Sequence, residues 1–415
     1  MAALNRLPYE LLSSVNRYAA DWVGLESLLQ VSPQLGKLFA GESDNANPEA
    51  IRLVESILKE NSIMSHELHR YFRMTMELRQ PSLADRNLAE FMARDHSRSR
   101  MASSSINRAT LQEMVKVAAN IQRLACACLT TLLTRLRKVQ PRRWEGELQG
   151  ARLFKVTGTA PYKPRDAGPP SWIEEYRVYR ALWHVLLCSD LLVAADRLEW
   201  PQSDLDLLRS DYIGWNQLPY IATEEIRSVR ECLDNLFGAD IDQTTQLLVE
   251  SKSSDKALVI QVPYATQLLC KFDVWSPPPT PPRMSITRDL WGQGYMMTEE
   301  NPMFDLWRSW QIRSKTHPAR HQVYSLQDSR LWRALGMPIW DLWRFYGLGL
   351  WKAQWPMRQQ VPILTPNGME VSIGADPPFH GEDIGYRFSV FIEARVQMER
   401  QEKMERIVED TPARE

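Results

Sequence analysis

Apolar residues recur at steps of three and four along most of this chain, which is the spacing of one face of an α-helix. The longest such run starts with Thr110 and Glu113, which have the form of a capping box, and it ends before Pro141. A second run opens with Ser171 and Glu174 in the same arrangement. These patterns predict two long helices, the first of about 30 residues.

Shorter helices are predicted from their first turns. One covers Leu7–Tyr18, and another begins where Asn47 and then Pro48 provide an N-cap and a first helical position. Two more are expected to begin at Ser82 and near Thr223, because each is followed by apolar residues at helical spacing.

Proline and glycine interrupt the helical pattern in two segments. Residues 157–170 predict a loop, and residues 276–283 (SPPPTPPR) predict an extended, polyproline-like segment. Residues 361–373 contain Thr-Pro-Asn-Gly, a turn signal that predicts one small C-terminal β-hairpin as the only β-structure. The expected fold is therefore all-α, with a small N-terminal helical bundle joined to a larger, irregular helical body.

Changes of pattern along the chain suggest seven regions. From the N-terminus they are a small helical bundle, a helical region, the Pro/Gly-rich loop, a second helical region, the proline-rich segment, a Trp-rich C-terminal region and a charged tail. Their expected bounds are 1–42, 43–156, 157–170, 171–275, 276–283, 284–395 and 396–415.

Composition narrows the classes of protein that fit. The 415 residues carry a formal net charge of −1, which argues against a strongly electrostatic role on nucleic acid or an anionic membrane. The sequence shows no signal-peptide pattern and no run of 18 apolar residues. The few, scattered cysteines are typical of buried thiols in a reducing compartment. We expect an intracellular protein of the cytoplasm, the nucleus or both.

Motifs for catalysis, metal ions and cofactors are missing from the sequence. No phosphate-binding loop, dinucleotide fingerprint or G-x-S-x-G motif occurs. Pro318 separates His317 from His321, which spoils a helical zinc face, and His184 on an apolar helix favours a core or boundary position. The sequence therefore predicts no catalytic residue, no metal site and no cofactor.

The N-terminal residues resemble an F-box. Leu7-Pro-Tyr-Glu-Leu-Leu12 matches the family's opening helix, and Leu25 to Pro33 matches its second helix, with the pattern L-x-x-V-S. The chain also resembles large fungal proteins that carry a degenerate F-box ahead of a helical region with W-D-x-x-R-type motifs. The matching motif here runs from Trp340 to Arg344. In this family exposed aliphatic residues dock a Skp-type adaptor of a cullin–RING ubiquitin ligase. The resemblance implies an adaptor-binding set of Leu7, Pro8, Leu11, Leu12, Leu28 and Val31, and an unknown protein substrate bound by the body.

The chain departs from the family pattern at two places. Asn16 and Arg17 stand where the family has an apolar pair, and Pro33 stands where it has a basic residue, so Pro33 is expected to end the second helix early. The alternative interpretation is a helical scaffold whose first helix is buried and which has no role with ubiquitin. A third is an enzyme of another family.

Tryptophans and prolines mark two further features near the C-terminus. Eight of the fifteen tryptophans lie between Trp291 and Trp355, and we interpret them as core anchors of short helices rather than as a ligand pocket. Asp341 and Arg344 are expected to be a surface pair. The proline-rich segment is interpreted as a rigid linker, with a minimal SH3-ligand motif as the alternative, formed by Pro278, Pro281 and Arg283.

Overall fold

A computed structural model describes about half of the chain in detail. The described residues are 11, 14, 20–40, 44–80, 82–96, 106–138, 166–210, 220–237, 269, 271–279, 333–341, 344 and 348, together with the backbone of four strands. The fold is mainly α-helical, as the sequence predicts. In chain order the helices are α1 (Trp22–Val31), α2 (Pro33–Phe39), α3 (Pro48–Glu60), α4 (His69–Leu78), α5 (Leu88–Met92), α6 (Arg108–Lys138), α7 (Trp172–Arg197), α8 (Gln202–Ser210) and α9 (Tyr220–Phe237).

The two long helices are confirmed, but the first begins differently from the prediction. Helix α6 starts at Arg108, and the side chain of Asn107 accepts the N–H groups of Ala109 at 2.8 Å and Thr110 at 3.3 Å. Thr110 therefore lies inside the first turn and does not cap it. Helix α3 has the predicted start, because Asn47 accepts the N–H of Glu49 at 2.9 Å.

Helix α5 is shorter than its sequence pattern predicts. It begins at Leu88, and its N-cap is Asn87, whose side chain accepts the N–H of Glu90 at 2.7 Å. Residues 83–86 are not helical, so the predicted start at Ser82 is wrong. Helix α9 begins at Tyr220, three residues before the predicted Thr223.

Two β-hairpins are present among the described residues. Strands β3 (Ile363–Leu364) and β4 (Glu370–Val371) pair around the predicted turn. The other pair, β1 (Arg142–Gln149) and β2 (Arg152–Pro161), is antiparallel. The prediction of a single hairpin is therefore wrong, and residues 157–161 belong to a strand rather than to a loop.

The chain divides into two compact units. The first comprises Met1–Thr130, Glu175–Ile226 and Leu233–Thr280, and the second comprises Thr131–Glu174, Arg227–Cys232 and Pro281–Glu415. The expected seven regions stay a prediction, because they describe composition rather than compactness.

Aromatic rings form much of the core of the first unit. Trp22 stacks on Phe72 with ring centroids 5.3 Å apart, and Phe72 meets Trp183 edge-on at 5.8 Å. A separate apolar cluster contains Phe91 and Trp200, which pack at 6.3 Å. All five rings are buried, so they fix the packing of α1, α4 and α7.

Trp340 anchors the core of the second unit, as its spacing predicts. Its ring is fully buried, and its indole N–H donates to the carbonyl of Leu335 at 2.7 Å. Gly336 permits this approach because it has a φ of +71° and lacks a Cβ, which would lie 3.0 Å from the Trp340 indole nitrogen. The other tryptophans of this region named as helix anchors lie outside the described residues.

Helices α6 and α7 are long and apolar enough to cross a membrane by length and composition alone. Within each helix, 78% of the most apolar window is buried against the rest of the chain. Core helices of this length pass the same test, so the finding by itself is weak.

Candidate functional site

The expected docking region contains two short helices joined by a single serine. The N–H of Ser32 bonds to the Leu28 carbonyl at 2.8 Å and closes α1, while its hydroxyl accepts the N–H of Leu35 at 3.4 Å and opens α2. Pro33 occupies the first position of α2, where its missing N–H costs nothing. Helix α1 therefore ends early, as the position of Pro33 predicts.

The inner face of α1 is fixed to the first unit. Trp22 and Leu25 are buried, and the N–H of Trp22 donates to the side-chain oxygen of Gln122 at 3.1 Å. The amide of Asn61 donates to the carbonyl of Ala20, at 2.7 Å. Glu26 pairs with Arg123 of α6. These contacts hold the helix in one orientation.

Three of the expected docking residues lie within the part of the chain that the structure describes. Leu11 is 52% exposed, Val31 is 37% exposed and Leu28 is half-buried. Leu11 is helical. The remaining three expected residues, Leu7, Pro8 and Leu12, lie outside the described residues. An exposed aliphatic side chain on a helix is a position at which a partner helix can pack.

An extended segment, residues 273–279, lies on the first unit. It forms no helix or strand, and of the predicted polyproline-like segment 276–283 it includes residues 276–279. The carbonyl of Trp275 accepts from the Gln122 amide at 3.1 Å and from the Cys126 thiol at 3.7 Å. The Trp275 indole N–H donates to Glu175 at 2.8 Å. Three side chains, those of Gln122, Cys126 and Glu175, therefore bond to one residue.

Pro278 is attached to the same surface. Its carbonyl accepts from the hydroxyl of Ser62 at 2.7 Å. The other two residues of the expected SH3-ligand motif, Pro281 and Arg283, lie outside the described residues. The attachment at Pro278 shows that this part of the segment is held against the fold rather than serving as a free linker.

A cluster of buried ionisable groups lies on α7 and on the helices packed beside it. Glu225 of α9 pairs with Arg180 and lies 3.5 Å from Arg177, and Arg180 stands over the ring of Tyr176 at 5.5 Å. Burial alone would lower the pKa of Arg180, but the Glu225 carboxylate raises it above its usual value. Burial raises the pKa of Tyr71 and of Tyr176, so both phenols stay protonated. The Glu225 carboxylate is therefore paired with two arginines.

His184 and Cys188 lie one helical turn apart on α7. The thiol and the imidazole Nε2 are 3.5 Å apart, and both side chains are buried. The prediction of a core or boundary position for His184 is confirmed. A nucleophile needs access to its substrate, and burial of both groups denies it. The pair is therefore structural in this conformation.

The expected surface position of Asp341 and Arg344 is wrong. Arg344 is 4% exposed and Asp341 is 8% exposed, because Arg344 makes a two-pronged ion pair with the fully buried Glu174, with distances of 2.8 and 2.7 Å. Arg344 also donates to the carbonyls of Gly168 and Pro169. Sequence reasoning failed here because the partner lies 170 residues away along the chain.

Glu174 also accepts hydrogen bonds from two backbone N–H groups. It accepts the N–H of Ser171 at 2.8 Å and that of Asp341 at 3.0 Å. The first of these bonds is one half of the predicted capping box, whereas the Ser171 hydroxyl is buried without a hydrogen-bond partner. With all its partners supplied by the protein, Glu174 is a structural carboxylate rather than an acid–base group.

Metal-ligating residues do not gather in the part of the chain that the structure describes. Within those residues no group of three or more His, Cys, Asp or Glu side chains could hold an ion. Cys126, Cys128, Cys188 and Cys232 are buried and form no disulfide, as their apolar surroundings predict. Burial raises the pKa of Cys126 to about 12, which keeps it a thiol at neutral pH.

The contacts that hold residues 273–279 were not predicted from the sequence. The side chains that make them, those of Ser62, Gln122, Cys126 and Glu175, form what is called the groove below. Only Gln122 gives a signal, because it is a polar residue, 1% exposed, on the apolar face of α6. No protein-family model, no curated protein and no solved structure matches the chain.

Proposed function

We propose that this chain is a non-enzymatic, protein-binding subunit of the F-box type. Its N-terminal helices dock a Skp-type adaptor of a cullin–RING ubiquitin ligase, and its helical body holds a protein substrate. The observation that carries the proposal is that Leu11 and Val31 are exposed, whereas Trp22 and Leu25 are buried and fix α1 to the first unit.

The rigid attachment of α1 supports docking of a preformed surface. Trp22 is stacked on Phe72, and Gln122 accepts the first N–H of the helix, so the orientation of Val31 is set before any partner arrives. A preformed surface loses little conformational entropy on binding, which favours affinity. Burying the exposed aliphatic area against a partner contributes about 25 cal/mol per Å² to the free energy of binding.

The buried chemistry supports binding over catalysis. Glu174 and Glu225 are each neutralised by arginine, and His184 is enclosed with Cys188. Groups arranged in this way stabilise a fold, whereas a catalytic carboxylate or thiol faces a cleft that a substrate enters.

Co-purification of a fungal Skp-type adaptor with the full chain tests the proposal. The informative variants are Leu11→Asp and Val31→Lys, the latter chosen because a cation is favourable at a helix C-terminus. Leu207→Asp and Val193→Lys are matched controls, since Leu207 is 44% exposed on α8 and Val193 is 60% exposed on α7.

We expect adaptor recovery to fall at least about tenfold in the two N-terminal variants and to be unchanged in the two controls. Equal recovery from all four variants, or recovery from none of the proteins including wild type, contradicts the proposal. In either case the helical scaffold becomes the better description.

A further inference from the structure

Residues 273–279 contact the first unit in the manner of a bound peptide. Asp273, Val274, Ser276 and Pro279 are exposed, and Trp275 is half-buried, so the segment contributes little to the core. The contacts instead join its carbonyls and one indole N–H to side chains of the helices.

A polyproline-like backbone forms no internal hydrogen bonds, so its carbonyls are free for recognition by another surface. Ser62 donates a hydrogen bond to the carbonyl of Pro278, and Gln122 and Cys126 both donate to that of Trp275. Glu175 selects for the indole, since only tryptophan places an N–H on a large ring. The recognised pattern is therefore Trp-x-Pro-Pro in extended form.

A further polar group lies on the same stretch of α7. Tyr179 is one helical turn from Glu175, and its hydroxyl is buried without a hydrogen-bond partner. Burial raises the pKa of Tyr179 well above its usual value.

We propose that the groove lined by Ser62, Gln122, Cys126 and Glu175 is a binding site for extended Trp-x-Pro-Pro segments of partner proteins, which residues 273–279 occupy as an internal competitor. Such a competitor keeps the groove closed until a partner with higher affinity, or a higher local concentration, displaces it. The inference does not depend on adaptor binding.

A labelled synthetic peptide of residues 271–279 tests the proposal against the full chain by fluorescence anisotropy. Trp275→Ala in the chain removes the internal indole and leaves the groove intact. A second variant replaces Pro277, Pro278 and Pro279 by glycine, which weakens the internal segment by increasing its flexibility and leaves Trp275 unchanged. A peptide with Trp275→Ala is the matched ligand control.

We expect both chain variants to bind the peptide at least about tenfold more tightly than wild type, and to bind the control peptide about tenfold more weakly. Adding Gln122→Glu to the Trp275→Ala chain should abolish binding, because the glutamate keeps the acceptor for Trp22 but loses the donor to the peptide carbonyl.

The proposal is overturned if neither variant gains affinity, or if the peptide and its alanine control bind equally. Dimerisation of the wild-type chain that Trp275→Ala abolishes would also overturn it, because the groove would then take the segment of a second copy.

Discussion

Single buried polar residues determine how the long apolar helices connect to the rest of their units. Gln122 uses both ends of its amide, since its oxygen accepts the N–H of Trp22 and its nitrogen donates to the carbonyl of Trp275. In the second unit, Glu174 accepts the N–H groups of Ser171 and Asp341 and pairs with Arg344. Each residue satisfies backbone groups that would otherwise be buried without partners.

The Glu174–Arg344 pair should show the large cost of breaking a buried ion pair. Arg344→Leu leaves a buried carboxylate without its cation, and we expect a loss of about 3–5 kcal/mol in the free energy of unfolding. The measurement is the urea midpoint of the transition that reports on the second unit.

Asp166→Asn is the control for that measurement. Asp166 pairs with Arg137 at 2.8 Å, but the two side chains are 73% and 48% exposed. An exposed pair contributes between 0 and about 1 kcal/mol. If Arg344→Leu costs no more than Asp166→Asn, the buried pair does not stabilise the fold as we describe.

Helices were predictable in this chain wherever their periodicity was long. The apolar positions of α6 and α7 recur over many turns, and both helices lie where the sequence places them. Their first residues were harder to predict, because Thr110 and Glu113 fit a capping box although Asn107 provides the cap. Local patterns indicate that a helix starts nearby, and tertiary contacts select the residue.

Asn107→Ala tests this assignment of the cap. The N–H groups of Ala109 and Thr110 lose their acceptor, and we expect a destabilisation of about 1 kcal/mol. Asn107→Asp keeps an acceptor oxygen and should remain near wild type in thermal unfolding. A Thr110→Ala variant that costs more than Asn107→Ala would favour the capping box instead.

The strands and the groove could not be predicted from the sequence for two physical reasons. The β1–β2 register shifts between Glu145 and Gly146 and between Glu147 and Leu148, which interrupts the alternation that marks a strand. The groove contacts join residues far apart in sequence, as between Ser62 and Pro278, which are 216 positions apart. The proposed docking residues rest on the F-box resemblance alone.

At the scale of the whole molecule, buried phenols and thiols link stability to alkaline pH. Burial raises the folded-state pKa of Tyr71, Tyr176, Tyr179 and Cys126 above ordinary values. The unfolded chain loses these protons first, so the stabilisation is complete below about pH 8 and is lost as pH rises from the unfolded pKa values through the higher folded ones.

Tyr179→Phe should reduce this alkaline sensitivity. The variant removes a buried hydroxyl that has no hydrogen-bond partner, so stability at about pH 7 should be unchanged or up to about 1 kcal/mol higher. At about pH 10.5 the gain over wild type should be larger, because one ionising group is lost from the unfolded chain. Thermal unfolding at both values measures the difference, and an equal or smaller gain at alkaline pH contradicts the account.

The central claim is the proposal that exposed aliphatic residues of the N-terminal helices, represented by Leu11 and Val31, dock a Skp-type adaptor. Isothermal titration of a purified Skp-type adaptor into the full chain tests it most directly. We predict a one-to-one complex with a Kd of about 1 µM or tighter for wild type and for Leu207→Asp, and at least about tenfold weaker binding for Leu11→Asp. No measurable binding to wild type, or the same Kd for Leu11→Asp and Leu207→Asp, would contradict the claim.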